Sequence, residues 1–196
     1  MTTNRLETFS DGVLAIIITI MVLEFKIPHD TSLHGLVRLY PQLISYLLSF
    51  IFIGIYWNNH HHLMHGTEKI NGGIMWANHH LLFWLSLIPF VTGYMGENHF
   101  TKITLALYGV VLFFSSIAYW ILQRYIITLN GIDSELAIAL GKDRKGKLSP
   151  FLYLTAIGMS FFSEWIAGVI YLAVAAMWLI PEKRIEENVH PENHQD

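Results

Sequence analysis

Apolar residues run in long blocks along this chain, and polar residues collect in the short stretches between them. A hydrocarbon core of about 30 Å needs roughly 20 helical residues at 1.5 Å each. Runs of that length predict membrane-spanning helices over 5–25, 40–63, 74–95 and 103–127. Lys26 and Pro28 stop the first of them, and Pro41 stands in the first turn of the second, where a missing N–H costs little. Gly54 and Pro89 are the positions at which the second and third spans would bend. The stretch GIDSELAIALGKDRKGK then interrupts the apolar pattern and reads as an exposed connection with room for a short amphipathic turn. After it, LSPFLYLTAIGMSFFSEWIAGVIYLAVAAMWLIP is about 34 residues long, too long for one ordinary span. Dividing it near Glu164 predicts a tight hairpin of two shorter spans, 149–163 and 165–181, with a single tilted helix as the competing reading.

The predicted fold is therefore an all-α integral membrane protein, one domain over 1–196 with six transmembrane helices. With the N-terminus in the cytoplasm, Arg5, Lys69, Arg124, the Lys142 to Lys147 cluster, Lys183 and Arg184 all face inward. Only Lys26, Arg38 and Lys102 then face out, which is the orientation that the positive-inside rule selects. An even number of spans returns the polar tail EKRIEENVHPENHQD to the cytoplasm as well.

Composition sharpens the same picture. Hydrophobic residues make up 53% of the chain and charged residues 14%, against about 25% charged in soluble domains. A net charge of -3 argues against nucleic acid as a partner, since phosphate binding needs a dense basic surface. Without cysteine there is no disulfide, thiolate metal site or thiol chemistry. The N-terminus lacks the basic flank and small-residue cleavage site of a secretory signal, so its apolar run is expected to stay as a helix.

The first helix has an uneven circumference. At about 100° per residue, Arg5, Phe9, Gly12, Ile16, Ile20 and Leu23 fall on one stripe, with Thr8 and Thr19 bordering it. Asp11 falls nearly opposite and Ser10 to one side. If the stripe lined a pore, Asp11 would point into the protein, where a carboxylate needs partners. Periodicity alone leaves lipid contact or packing as the ordinary explanation of such a stripe.

RLETFSD also fits the R-x-x-x-F-S-D motif of the transmembrane protein 175 family of potassium channels. Ala15, Thr19, Leu23 and Pro28 continue the fit, and IYWNNHH and WANHHLLFWLSLIPF resemble the family's second and third helices. The resemblance covers roughly the first 100 residues well; the last three spans match mainly in hydropathy. It implies a channel without the TVGYG carbonyl filter, a motif that this sequence lacks. In its place the first helices would line a central pore, with Ile16, Ile20 and Leu23 forming an aliphatic constriction and Thr19 adding a hydroxyl beside it. Arg5, Phe9, Ser10 and Asp11 would hold the helix in register, with Asp11 accepting hydrogen bonds from His60, His61 or Asn78. The resemblance further implies a homotetramer in a prokaryotic plasma membrane, surrounded by lipid. Potassium would pass as permeant ion near Ile16, Thr19 and Leu23, and no cofactor is implied.

Other constellations carry less. His61 and His65 are spaced i, i+4 as a helical metal pair would be, but no third ligand type accompanies them, so hydrogen bonding is the expected role. Glu24, Glu97 and Glu164 read as loop or interface residues, with an outer ring of Glu24 as the functional alternative. No Gly-rich phosphate loop, G-x-S-x-G or H-E-x-x-H stands in the chain, and Ser163 beside Glu164 is a coincidence of neighbours, so no enzyme is expected. The alternative of another class is a proton-coupled secondary transporter that uses Asp11 and the membrane histidines as a relay.

Overall fold

Inside hydrocarbon a backbone has no water to bond, so each long apolar run closes its hydrogen bonds on itself as a helix. The computed structural model describes residues 2–131, 133–134, 137–138 and 143–179. They include α1 (Thr3–Leu23), α2 (Leu33–Val37), α3 (Tyr40–His65), α4 (Gly72–Ser86), α5 (Ile88–Glu97), α6 (Lys102–Asn130), α7 (Arg144–Ser160) and α8 (Glu164–Leu179). Four stretches are long and apolar enough to cross a membrane: α1, α3, α4 together with α5, and α6. Helix α7 has 17 residues and α8 has 16, shorter than an ordinary span. Lys142, Lys183, Arg184, the polar tail and the end of the sixth predicted span lie outside the described residues.

The boundaries differ from the predicted spans where local chemistry intervenes. The third run is two helices, because Pro89 has no N–H to give and its ring crowds the carbonyl four residues back. Leu87 N–H bonds Trp84 O at 3.2 Å, a tightened final turn, and α5 restarts with Pro89 in its first turn. Gly54, by contrast, sits within an unbroken α3. Helix α2 has no counterpart in the hydrophobic pattern. Its cap makes it: Asp30 Oδ1 accepts from Ser32 N–H at 2.9 Å, and Ser32 Oγ accepts from Gly35 N–H at 3.3 Å. The last apolar run divides at Phe161–Ser163, between the end of α7 and the start of α8.

Helix α1 packs on α3, α4 and α5, while the α7–α8 hairpin packs on α6 and, through α8, on α3. The two lie on opposite flanks of the bundle. Its ends are tied by hydrogen bonds. At one, Thr3 Oγ1 donates to Thr67 O at 3.1 Å and the Glu68 and Lys69 N–H groups donate to Asn130 Oδ1. At the other, Lys26 pairs with Glu97 at 2.9 Å and Lys102 Nζ donates to Phe161 O at 3.1 Å.

The core is aliphatic and aromatic, and a polar chain crosses it between α3, α5 and α6. Thr92 Oγ1 donates to Ile88 O at 2.7 Å, so the 2.6 Å bond between Ser49 and Thr92 must have Ser49 as donor. Ser49 then accepts from the Tyr108 hydroxyl at 3.0 Å. Every proton in the chain has one direction. Nearby, the Tyr171 hydroxyl donates to Leu105 O at 2.9 Å and occupies the space that a side chain at Gly109 would need. Gly109→Ala should therefore cost about 1–3 kcal/mol by overpacking, whereas Gly158, with no atom within 4 Å of its Cβ position, should gain about 0.4–1 kcal/mol as alanine. Thermal unfolding of the two variants in detergent checks this, and equal shifts would remove the packing role of Gly109.

Candidate functional site

Two faces of α1 do different work. Leu6, Ser10, Leu14, Ile17 and Met21 are buried against α3, α4 and α5. The predicted stripe is the other face: Ile16 is 58% exposed, Ile20 40% and Leu23 80%, and Phe9 and Arg5 are exposed with them. Only 28% of the most apolar 18 residues of α1 are buried, against 50% for α6. The subunit thus leaves one side of its first helix uncovered. Thr19 borders that side, and its Oγ1 donates to Ile16 O at 2.8 Å. Its proton being used inward, the oxygen lone pairs remain for whatever lies outside.

The buried face is fixed by a hydrogen-bond relay. Ser10 Oγ donates to Leu6 O at 2.9 Å, which leaves it to accept from Asn78 Nδ2 at 2.9 Å. Asn78 Oδ1 can only accept, so its 2.8 Å partner, His60 Nε2, carries the proton. His60, Asn78 and Ser10 are all buried, and His60 Nδ1 has no partner among the described residues. Three helices are joined by this one line of donors.

Asp11 takes no part in it, contrary to the expectation that His60, His61 or Asn78 would serve the acid. It is half-buried and accepts from the Trp57 indole N–H at 3.1 Å. His61 Nδ1 instead meets Glu7 Oε1 at 2.7 Å. One residue of helix turns the side chain by about 100°, so when Ser10 faces the interior Asp11 must flank it. The interior position goes to the group that is cheaper to desolvate, a hydroxyl. Trp57 and Glu7 were absent from the predicted set. A signal for them exists, since Glu7 and Asp11 are four apart, as are Trp57 and His61, and antiparallel helices pair such residues rung by rung.

Phe9 stacks on His79 with ring centroids 5.5 Å apart, and Arg5 makes no ion pair among the described residues. His61 and His65 lie ring over ring at 6.1 Å, with the His61 nitrogen already committed to Glu7. At the far end of α1 the Glu24 side chain lies over Gly93 of α5. Replacing Asn78 by leucine leaves the His60 Nε2–H without its acceptor, while Ser10 keeps its bond to Leu6 O, and should cost about 1–3 kcal/mol. Replacing Thr8, which among the described residues bonds within its own helix, by alanine should stay within about 0.5 kcal/mol. Denaturation midpoints compare the two, and a silent Asn78→Leu would mean that apolar packing alone holds α1.

Comparison with known proteins bears on this arrangement. The family described as "Endosomal/lysosomal potassium channel TMEM175" matches residues 5–89, which hold most of α1 and all of α2, α3 and α4. A Chryseobacterium protein named as a potassium channel is 51% identical over 189 residues, 96% of this chain and 98% of that one. The crystal structure of a lysosomal potassium-selective channel TMEM175 homolog from Chamaesiphon minutus superposes with a TM-score of 0.78 at 27% identity, covering 90% of this chain and 96% of that one. Over 78 residues the chain is 35% identical to the endosomal/lysosomal proton channel TMEM175 of Danio rerio, 33% of this chain and 15% of that one. The chain belongs to the TMEM175 family.

Proposed function

We infer that this chain is the subunit of a potassium-selective channel whose ions pass along the uncovered face of α1. The observation that carries the reading is the division of α1 into a face pinned by the Ser10–Asn78–His60 relay and a face of exposed Ile16, Ile20 and Leu23. The names of the Chryseobacterium and Chamaesiphon relatives support potassium as the ion. A single α1 cannot enclose a pore, so four copies meet about a cyclic axis, the ordinary way to close a ring. Six membrane crossings per subunit, counting α7 and α8, leave both termini in the cytoplasm. Arg5, Lys69, Arg124, Arg144, Lys145 and Lys147 then fall on the inner side and Lys26, Arg38 and Lys102 on the outer. A prokaryotic plasma membrane suits such a chain.

Rings of aliphatic side chains gate by dewetting: water leaves a narrow apolar neck, and an ion entering it loses hydration. Potassium holds its water less tightly than sodium, so such a neck favours it. Thr19 adds to this preference, because its free lone pairs offer a partial substitute for lost water. Glu7, Asp11, Trp57 and His61 act as positioning residues along the α1–α3 edge. A second permeant, the proton, is suggested by the name of the Danio relative. The same acids and histidines would serve a proton-coupled transporter.

Planar-bilayer recording on the purified protein, with potassium and sodium on opposite sides, separates these readings. Unitary currents reversing toward the potassium potential support the channel. A reversal that follows a pH gradient instead would assign protons as the main ion, and saturable proton-dependent uptake without unitary current would assign a transporter. Leu23→Ser or Ile16→Ser should raise current about tenfold, equivalent to ~1.4 kcal/mol of removed barrier. Thr19→Val should keep the current and reduce the preference for potassium over sodium. Unchanged currents in all three variants would move the constriction away from α1.

A further inference from the structure

Helices α6 and α7 run antiparallel, and their contacts fix which residues stand at one level. Lys102 Nζ donates to Phe161 O, Gly109 faces Ile157, and Ser116 and Tyr119 border the same small cavity as Ser149 and Gly146. The register is the same along the whole contact, so Lys147 stands level with Ala118 and Arg144 with Ile121. Helix α6 continues past those levels to Arg124 and then Asn130, about 9 Å and 18 Å beyond Ala118. The charged start of α7 therefore lies well inside the end of the bundle.

Charges mark the two ends of each apolar surface. On α6, Lys102 and Arg124 are about 33 Å apart along the axis, and on α1 Arg5 and Lys26 are about 31 Å apart, each close to the thickness of a hydrocarbon core. On α7 only about 21 Å separate Lys147 from Phe161, and no charged residue stands between 148 and 163. The shortfall of about 10 Å falls at the Asn130 end, because Lys102 holds the hairpin tip level with the start of α6. Snorkelling carries a lysine or arginine head toward water, but the first-turn N–H groups of α7 need polar partners at their own depth. Asp143 serves one of them, the Gly146 N–H, and stands at that depth as a further charge.

The outer surface of the hairpin suits hydrocarbon. Leu148, Phe151 and Leu154 are exposed at i, i+3, i+6 on α7, and Trp165, Val169 and Leu172 at i, i+4, i+7 on α8. The hairpin lies on the flank opposite α1. With α1 turned to the axis this surface is outermost, and the inference rests on that reading for its direction. We propose that the α7–α8 flank thins the bilayer, drawing the phospholipid headgroups of the leaflet at the Asn130 end about 10 Å inward to the start of α7. Thinning is one way in which a bilayer meets an apolar helix shorter than itself. The partner is the phosphate-bearing surface of the membrane, which Arg144 and Lys147 attract at the level where they stand.

The chain has no cysteine, so Leu148→Cys, Leu154→Cys and Phe162→Cys each give the full chain a unique site for a fluorophore, at a position that is exposed. In dioleoylphosphatidylcholine vesicles, quenching is compared between lipids that carry a nitroxide on the headgroup and lipids that carry it at mid-chain. Leu148→Cys and Phe162→Cys, about 21 Å apart along the hairpin, should both be quenched more by the headgroup label, and Leu154→Cys more by the chain label. Stronger quenching by the chain label at 148 would mean an unthinned leaflet and would overturn the proposal. A headgroup reading at 148 with a chain reading at 162 would mean that the whole bundle sits shifted along the membrane normal, and that also overturns it. Quenching by neither lipid at 148 and 154 would place protein against the hairpin, with the same consequence. No current enters the measurement, so a chain that fails to conduct, against the channel reading, still gives the expected order of quenchers if lipid meets the hairpin.

Discussion

Hydrocarbon offers no partner to a polar hydrogen, and the rest of this structure follows from how each such hydrogen finds an end. Two chains of side-chain donors cross the interior, His60 to Asn78 to Ser10 and Tyr108 to Ser49 to Thr92. Both end on a carbonyl four residues back in their own helix, Leu6 O for one and Ile88 O for the other. A carbonyl has two lone pairs, so it takes the extra proton without giving up the helical bond. Serine and threonine are thus the terminators that let wider polar groups be buried. The first chain fixes α1 on α3 and α4; the second fixes α3 on α5 and α6.

Fixing one face of α1 so firmly determines what its other face is free to be. Burial of Ser10 forces Asp11 to the flank, where Trp57 meets it, and Glu7 follows onto His61 one turn away. The stripe from Arg5 to Leu23 is then turned outward, and none of the described residues covers it. An aliphatic surface of this kind is stable only against lipid, a second copy or a narrow passage.

Much of this was legible in the sequence because hydropathy acts over many residues at once. The limits of α3 and α6 were readable to within a few residues, as was the outward stripe of α1, from length and the helical period. Features set by single side chains were not. Helix α2 depends on two caps that any loop of Asp and Ser could offer. Pro89 could be read as a bend, but a complete break between Ser86 and Ile88 depends on the tightened turn at Leu87. The role exchange of Ser10 and Asp11 was hidden because charge draws attention, while desolvation cost selects the hydroxyl for the interior.

The division of α1 also bears on how such a protein changes over generations. Residues that anchor the helix and residues on its uncovered face alternate along one stretch of about twenty positions. Substitutions at Ile16, Thr19, Ile20 or Leu23 thus leave the packing within the subunit largely as it is, whereas those at Ser10 or Asn78 break the bonds that hold α1 to its neighbours. The two faces of one helix can thus vary separately, so the uncovered surface can change in character while the architecture stays recognisable.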